Sequence, residues 1–167
     1  MAILEALAAS SLSMWVLTSK WGYYGLLVVH AIGMAGIVGS TFMVCLRVLG
    51  LARGVIITDL GSLRAVAWGG FLANAISGVI LFFSNGPALV QNGTFQIKML
   101  SIVLGGIALG VLWRVLNRDP GKDDPNTAYG AFAKAAAIAT FAFWTIAIIF
   151  GRDVAYTLEP VFDLNAF

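Results

Sequence analysis

Four stretches of this 167-residue chain run nearly without charge for about twenty residues each, the length an α-helix needs to cross the hydrocarbon core of a bilayer. They fall at about 21–46, 65–84, 97–116 and 131–150. The apolar residues are continuous rather than alternating, which selects helices over a barrel. Composition agrees, with 60% hydrophobic and only 11% charged residues, where a soluble domain carries about 25% charged residues. A soluble fold of this length buries only about 70% of its unfolded surface, too little to hide so much apolar area.

The connections are short and hold the breakers: Gly50, Gly54 and Gly61, then Asn85-Gly86-Pro87, then Asp119-Pro120-Gly121. Short connections make sequential helices antiparallel neighbours. The expected fold is therefore all-α, an integral membrane up-down four-helix bundle forming one domain. The first 19 residues, with Ile3, Leu4, Leu7, Trp15 and Val16 near helical spacing, read as an interfacial amphipathic helix. Trp15, Trp21, Tyr23 and Tyr24 would make an aromatic belt beside it. This segment has no basic residue before Lys20 and does not read as a secretory signal. A second short segment, 54–60, is expected to dip into the opposite interface. The tail 151–167 reads as an ordered lid or partner contact rather than another span.

Basic residues set the direction. Arg47, Arg53, Arg64, Arg114, Arg118, Lys122 and Lys134 flank the first and third connections, while only Lys20, Lys98 and Arg152 lie at the other side. The excess belongs in the cytoplasm. That implies a multi-pass protein of the bacterial inner membrane with both termini on the periplasmic side. The net charge of +2 carries no basic arm and excludes a nucleic-acid partner. The single cysteine, Cys45, cannot form an intrachain disulfide and reads as a buried thiol.

His30 is the only histidine, and it falls within the first span. An ionisable ring at such depth is costly unless it pairs, coordinates or carries protons. It lies nine residues after Trp21, about 13 Å below the interface at 1.5 Å per residue. At that depth the other spans place Asn74, Ser77 and Thr140. Asn74 is the expected partner of one ring nitrogen and would fix the tautomer. Gly33, Gly36 and Ser40 follow on the first span. Small residues there suit close helix packing, and equally a flat macrocycle lying against the backbone. Imidazole is a common haem and metal ligand, so the candidate cofactor is one haem b per chain. His30 would be the metal ligand, with Gly33, Asn74 and Ser77 lining the site and Lys98 meeting the propionates. A lone histidine rules out bis-histidine ligation within one chain, and Met34, on the same helix, cannot easily reach the opposite axial face. The competing reading is a neutral His30 that only hydrogen-bonds Asn74.

Other residues read plainly. Lys98 and Lys134 suit snorkelling at the two boundaries. Arg64 and Trp68, one turn apart, suit an interface anchor with a cation–π contact. Gly106 and Gly110 fit small-xxx-small packing. No phosphate loop, Ser-His-Asp set or HExxH appears, and every Asp and Glu lies in a loop or terminus. The missing intramembrane acid argues against an ion-coupled transporter, and no catalytic constellation marks an enzyme.

The runs VVHAIGMAGIVGSTFMVCLRVLGL and NGTFQIK, with the spacing Trp68-x5-Asn74-x3-Gly78 between them, resemble uncharacterised bacterial four-helix membrane families, loosely like copper-resistance D-type and cytochrome b-type membrane domains. The resemblance covers about half the chain and implies a haem or metal function. The chain departs from two-haem cytochromes in lacking their paired histidines. The expectation is a small membrane protein for electron transfer or haem-based sensing, with the lipid bilayer, further copies of itself and a periplasmic redox partner as associates. The rivals are a non-catalytic accessory or scaffold subunit, and a channel or carrier for a small solute.

Overall fold

The computed structural model describes residues 2–19, 21–57, 61–119 and 124–157, with the side chains of 61 and 62 excepted. Among them every regular element is helical: α1 (Ala2–Ala8), α2 (Ser11–Thr18), α3 (Gly22–Leu49), α4 (Gly61–Gln91), α5 (Gly93–Arg118) and α6 (Ala131–Thr157). The last four are long and apolar enough to cross a membrane, the pattern of a multi-pass membrane protein. Their exposed large side chains, such as Ile32, Leu72, Ile76 and Ile107, would be untenable in water over so wide an area and are at home against acyl chains.

The expected single N-terminal helix is two helices. Ser10 ends the first and caps the second, its hydroxyl oxygen accepting from the Ser13 amide at 3.3 Å. The Ser13 hydroxyl donates back to the Leu7 carbonyl at 2.8 Å. A serine pair competes well with the helical ladder, and that competition bends the chain here. Both short helices pack on α4, and α2 also touches α3.

Two of the expected stops behave differently from each other. Gly50 ends α3 in the left-handed region at φ 84°, and the amide of Leu51 closes on the Leu46 carbonyl at 2.9 Å. Asn85-Gly86-Pro87 does not end α4. Asn85 leaves helical geometry at φ −144° and ψ 30°, and the helix resumes through Pro87 to Gln91. Proline lacks an amide donor and crowds the preceding turn, so it kinks the helix. The reversal comes at Asn92, whose side-chain oxygen caps α5 by accepting from the Phe95 amide at 2.9 Å.

The helices pair as two hairpins, α3 with α4 and α5 with α6, and α3 against α6 joins them. α4 and α5 make only slight contact, with Phe82 stacked on Phe95 at 5.9 Å near their turn. The up-down bundle is therefore open along the α4–α5 side. The main core joins α3, α5 and α6 through Val44, Val48, Leu112, Leu116, Ala133 and Ala137. A smaller cluster gathers Ile37, Val38 and Trp144, and Phe42 stacks on Phe141 at 4.0 Å. Of segment 54–60, residues 58–60 lie outside the described residues. Of the tail, 151–157 extend α6 and 158–167 lie outside.

Candidate functional site

The α3–α4 crossing is built from missing side chains. A Cβ on Gly33 would stand 2.7 Å from both the Asn74 amide nitrogen and the Gly70 carbonyl oxygen. A Cβ on Gly70 would stand 2.7 Å from the Gly33 carbonyl oxygen and 3.2 Å from the Gly36 Cα. Only glycine permits so close an approach of two backbones. The Gly33 face is thus filled by α4 itself. Gly33 serves the crossing, and the expected bed for a macrocycle on that face is corrected: no space is left there.

One turn from this crossing the two helices exchange hydrogen bonds. The Asn74 side-chain amide donates to the His30 carbonyl at 2.8 Å. His30 Nδ1 lies 3.1 Å from the Asn74 carbonyl oxygen and 3.2 Å from Ser77 Oγ. A carbonyl can only accept, so Nδ1 carries the proton and Nε2 keeps the lone pair. The sequence names Asn74 correctly as the partner, but its backbone oxygen, not its side chain, meets the ring. Ser77 is buried and donates to the Ala73 carbonyl at 2.6 Å, which leaves its lone pairs facing the imidazole N–H. Gly78 lies against the ring, where a Cβ would come within 3.0 Å of His30 Cε1. The ring is half-buried, with position and tautomer set by α4.

Lys98 comes from α5. Its chain lies over Gly151 of α6, with Cε 3.3 Å from where a Cβ would be. It is partly buried, makes no ion pair among the described residues, and its ammonium stands within electrostatic reach of the His30 ring. Thr140 is fully buried but bonds within its own helix, to the Ala136 carbonyl at 2.8 Å, and does not join the site. Met34 packs with Ile37, Val38 and Trp144. Trp68 sets its edge against Phe71 at 5.8 Å.

Among the described residues no three His, Cys, Asp or Glu side chains gather to hold a metal ion. The donor set here is one imidazole nitrogen. That suits a haem, which brings four equatorial nitrogens of its own, and does not suit a bare ion. Ring N–H bonding to a backbone carbonyl is the usual second contact of a ligating histidine, and His30 makes that contact.

Arg47 is the residue that sequence reasoning undervalued. It was legible as a boundary cation, yet it is 1% exposed. Its guanidinium donates to the carbonyls of Val55, Asp124, Pro125 and Thr127 and lies 5.1 Å from the centre of the Tyr129 ring. It ties the α3–α4 and α5–α6 connections together. A second unforeseen feature is the Trp144 indole nitrogen, buried against Gly105 without a hydrogen-bond partner among the described residues.

No family model, curated protein or solved structure matches this chain.

Proposed function

We propose that this is a small multi-pass protein of the bacterial inner membrane that holds one haem b per chain through His30 Nε2, for one-electron transfer or haem-based sensing. The observation that carries the reading is the Nδ1 contact to the Asn74 carbonyl, which leaves the lone pair of Nε2 available to a ligand. The half-buried Lys98, without an anionic partner among the described residues, supports it by offering a cation to a propionate. The slight contact between α4 and α5 supports it by leaving the bundle open on one side. Asn74 and Ser77 hold the imidazole in one tautomer and orientation. Bound haem supplies the one-electron redox change at iron. Met34 packs into the α3–α6 cluster, so a second protein ligand to the haem would come from another copy of the chain in a homo-oligomer. The excess of basic residues at the Arg47 end supports a cytoplasmic location for that end. The site then lies in the periplasmic half, within reach of a periplasmic redox partner.

A second reading has its own support. The reciprocal His30–Asn74 bonds and the glycine crossing also suffice as a structural clasp, which fits a non-catalytic accessory subunit. One experiment separates the two. The protein is purified after expression with full haem supply, and its visible spectrum is taken before and after dithionite. A Soret band present in the wild type and lost in His30→Ala supports the haem reading. A colourless wild type leaves the clasp.

A further inference from the structure

At the Arg47 end of the bundle, the end of α5 and Phe132 near the start of α6 line a groove of about 460 Å³, with Val111, Arg114, Val115, Arg118 and Asp119 along its α5 side. Its chemistry is divided along α5. Arg114 and Arg118 are one turn apart and share a face. Val111 and Val115 form an apolar wall, and Phe132 of α6, 68% exposed, forms the opposite lip. Two guanidiniums outnumber the one carboxylate, Asp119, so the groove carries net positive charge. The arginines lie in the last two turns of α5, where the helix leaves the apolar layer.

We infer that this groove binds one anionic phospholipid, its phosphate between Arg114 and Arg118 and its upper acyl chain along Val111, Val115 and Phe132. Guanidinium pairs suit phosphate oxygens, which they meet through paired N–H donors. A soluble phosphate would use the charge and leave the apolar wall and the exposed phenyl ring without a role; a lipid uses both. Basic pockets between membrane helices at the cytoplasmic face are a recognised setting for anionic headgroups. The inference is independent of the haem.

The test is lipid retention. The full chain is reconstituted in nanodiscs of equal phosphatidylglycerol and phosphatidylcholine, released gently, and weighed by native mass spectrometry. The wild type should keep one phosphatidylglycerol in preference to phosphatidylcholine. The double variant Arg114→Gln/Arg118→Gln should retain about thirtyfold less, the equivalent of about 1 kcal/mol for each of two surface cations. Arg53→Gln/Arg64→Gln removes the same two charges from exposed positions outside the groove and should retain the lipid as the wild type does. Helix content by circular dichroism checks that each variant is folded. Equal retention of the two lipids by the wild type overturns the inference without reference to any variant. So does unchanged retention in Arg114→Gln/Arg118→Gln. Displacement of the lipid by millimolar inorganic phosphate overturns the assignment to a lipid, in favour of a soluble anion.

Discussion

Replacing Gly33 by alanine tests the helix crossing with the smallest possible change. The added methyl lands 2.7 Å from two atoms and 3.0 Å from a third, the Asn74 Cβ. The two nearest obstructions, the Asn74 amide nitrogen and the Gly70 carbonyl oxygen, are backbone, so no rotamer change relieves them. Ordinary contact begins at 3.4 Å, so the helices must separate by about 0.7 Å. Overpacking of this kind costs about 1–3 kcal/mol. The same movement stretches the 2.8 and 3.1 Å bonds between His30 and Asn74 toward or beyond useful range, at about 0.6 kcal/mol each for bonds between membrane helices. The sum is about 2–4 kcal/mol, or a fall in melting temperature of about 5–15 °C. The chain supplies its own reporter. Cys45 is its only cysteine and is wholly buried, so a fluorogenic maleimide reacts only as the core opens. The control is Gly39→Ala, on the same helix, where a Cβ would meet nothing within 4 Å; it should label as the wild type does or more slowly. If Gly33→Ala and Gly39→Ala label alike, the backbone-to-backbone crossing is wrong.

Three further outcomes follow from the same geometry. Arg47→Gln strips the donors from four carbonyls at the ends of two connections and should cost about 3 kcal/mol; Arg47→Lys should recover little, because one ammonium cannot span that set, and thermal circular dichroism reads both. Asn74→Leu removes the bond to the His30 carbonyl but keeps the backbone acceptor for Nδ1, so it should lose about 0.6–1.7 kcal/mol with the imidazole tautomer unchanged; a switched tautomer would show that the side chain, not the main chain, sets the ring. Gly78→Ala places a methyl 3.0 Å from His30 Cε1 and should lower the haem occupancy of the purified protein, read as Soret absorbance per chain, while helix content stays constant.

The spans were legible because desolvation in a bilayer is harsh enough to write itself into composition. About twenty residues with at most one or two cations near the ends have few other uses. Helix ends were harder, since Pro87 and Gly86 signal a break equally well whether the chain reverses or only kinks; the neighbouring helix decides, and α1 packing against α4 across Gly86 favours the kink. Asn74 and Ser77 were found by depth alone, because rise per residue converts sequence distance into height. Depth does not give azimuth. Thr140 stands in the same estimated layer and bonds within α6 instead, and Gly33 turns its small face to α4 rather than to a ligand. Arg47 was misjudged for a related reason. A cation one turn from a helix end has the same sequence signature whether it snorkels into headgroups or folds back under two loops, and those loops are remote in sequence.

The central claim is that α4 fixes His30 with its proton on Nδ1 and its lone pair on Nε2. The lone histidine makes this directly measurable, since selective ¹⁵N-histidine labelling of haem-free protein in nanodiscs gives just two imidazole nitrogen signals, with no assignment needed. The account predicts a protonated, pyrrole-type Nδ1 and a bare, pyridine-type Nε2 at neutral pH. A proton found on Nε2, or two tautomers in exchange, would contradict it.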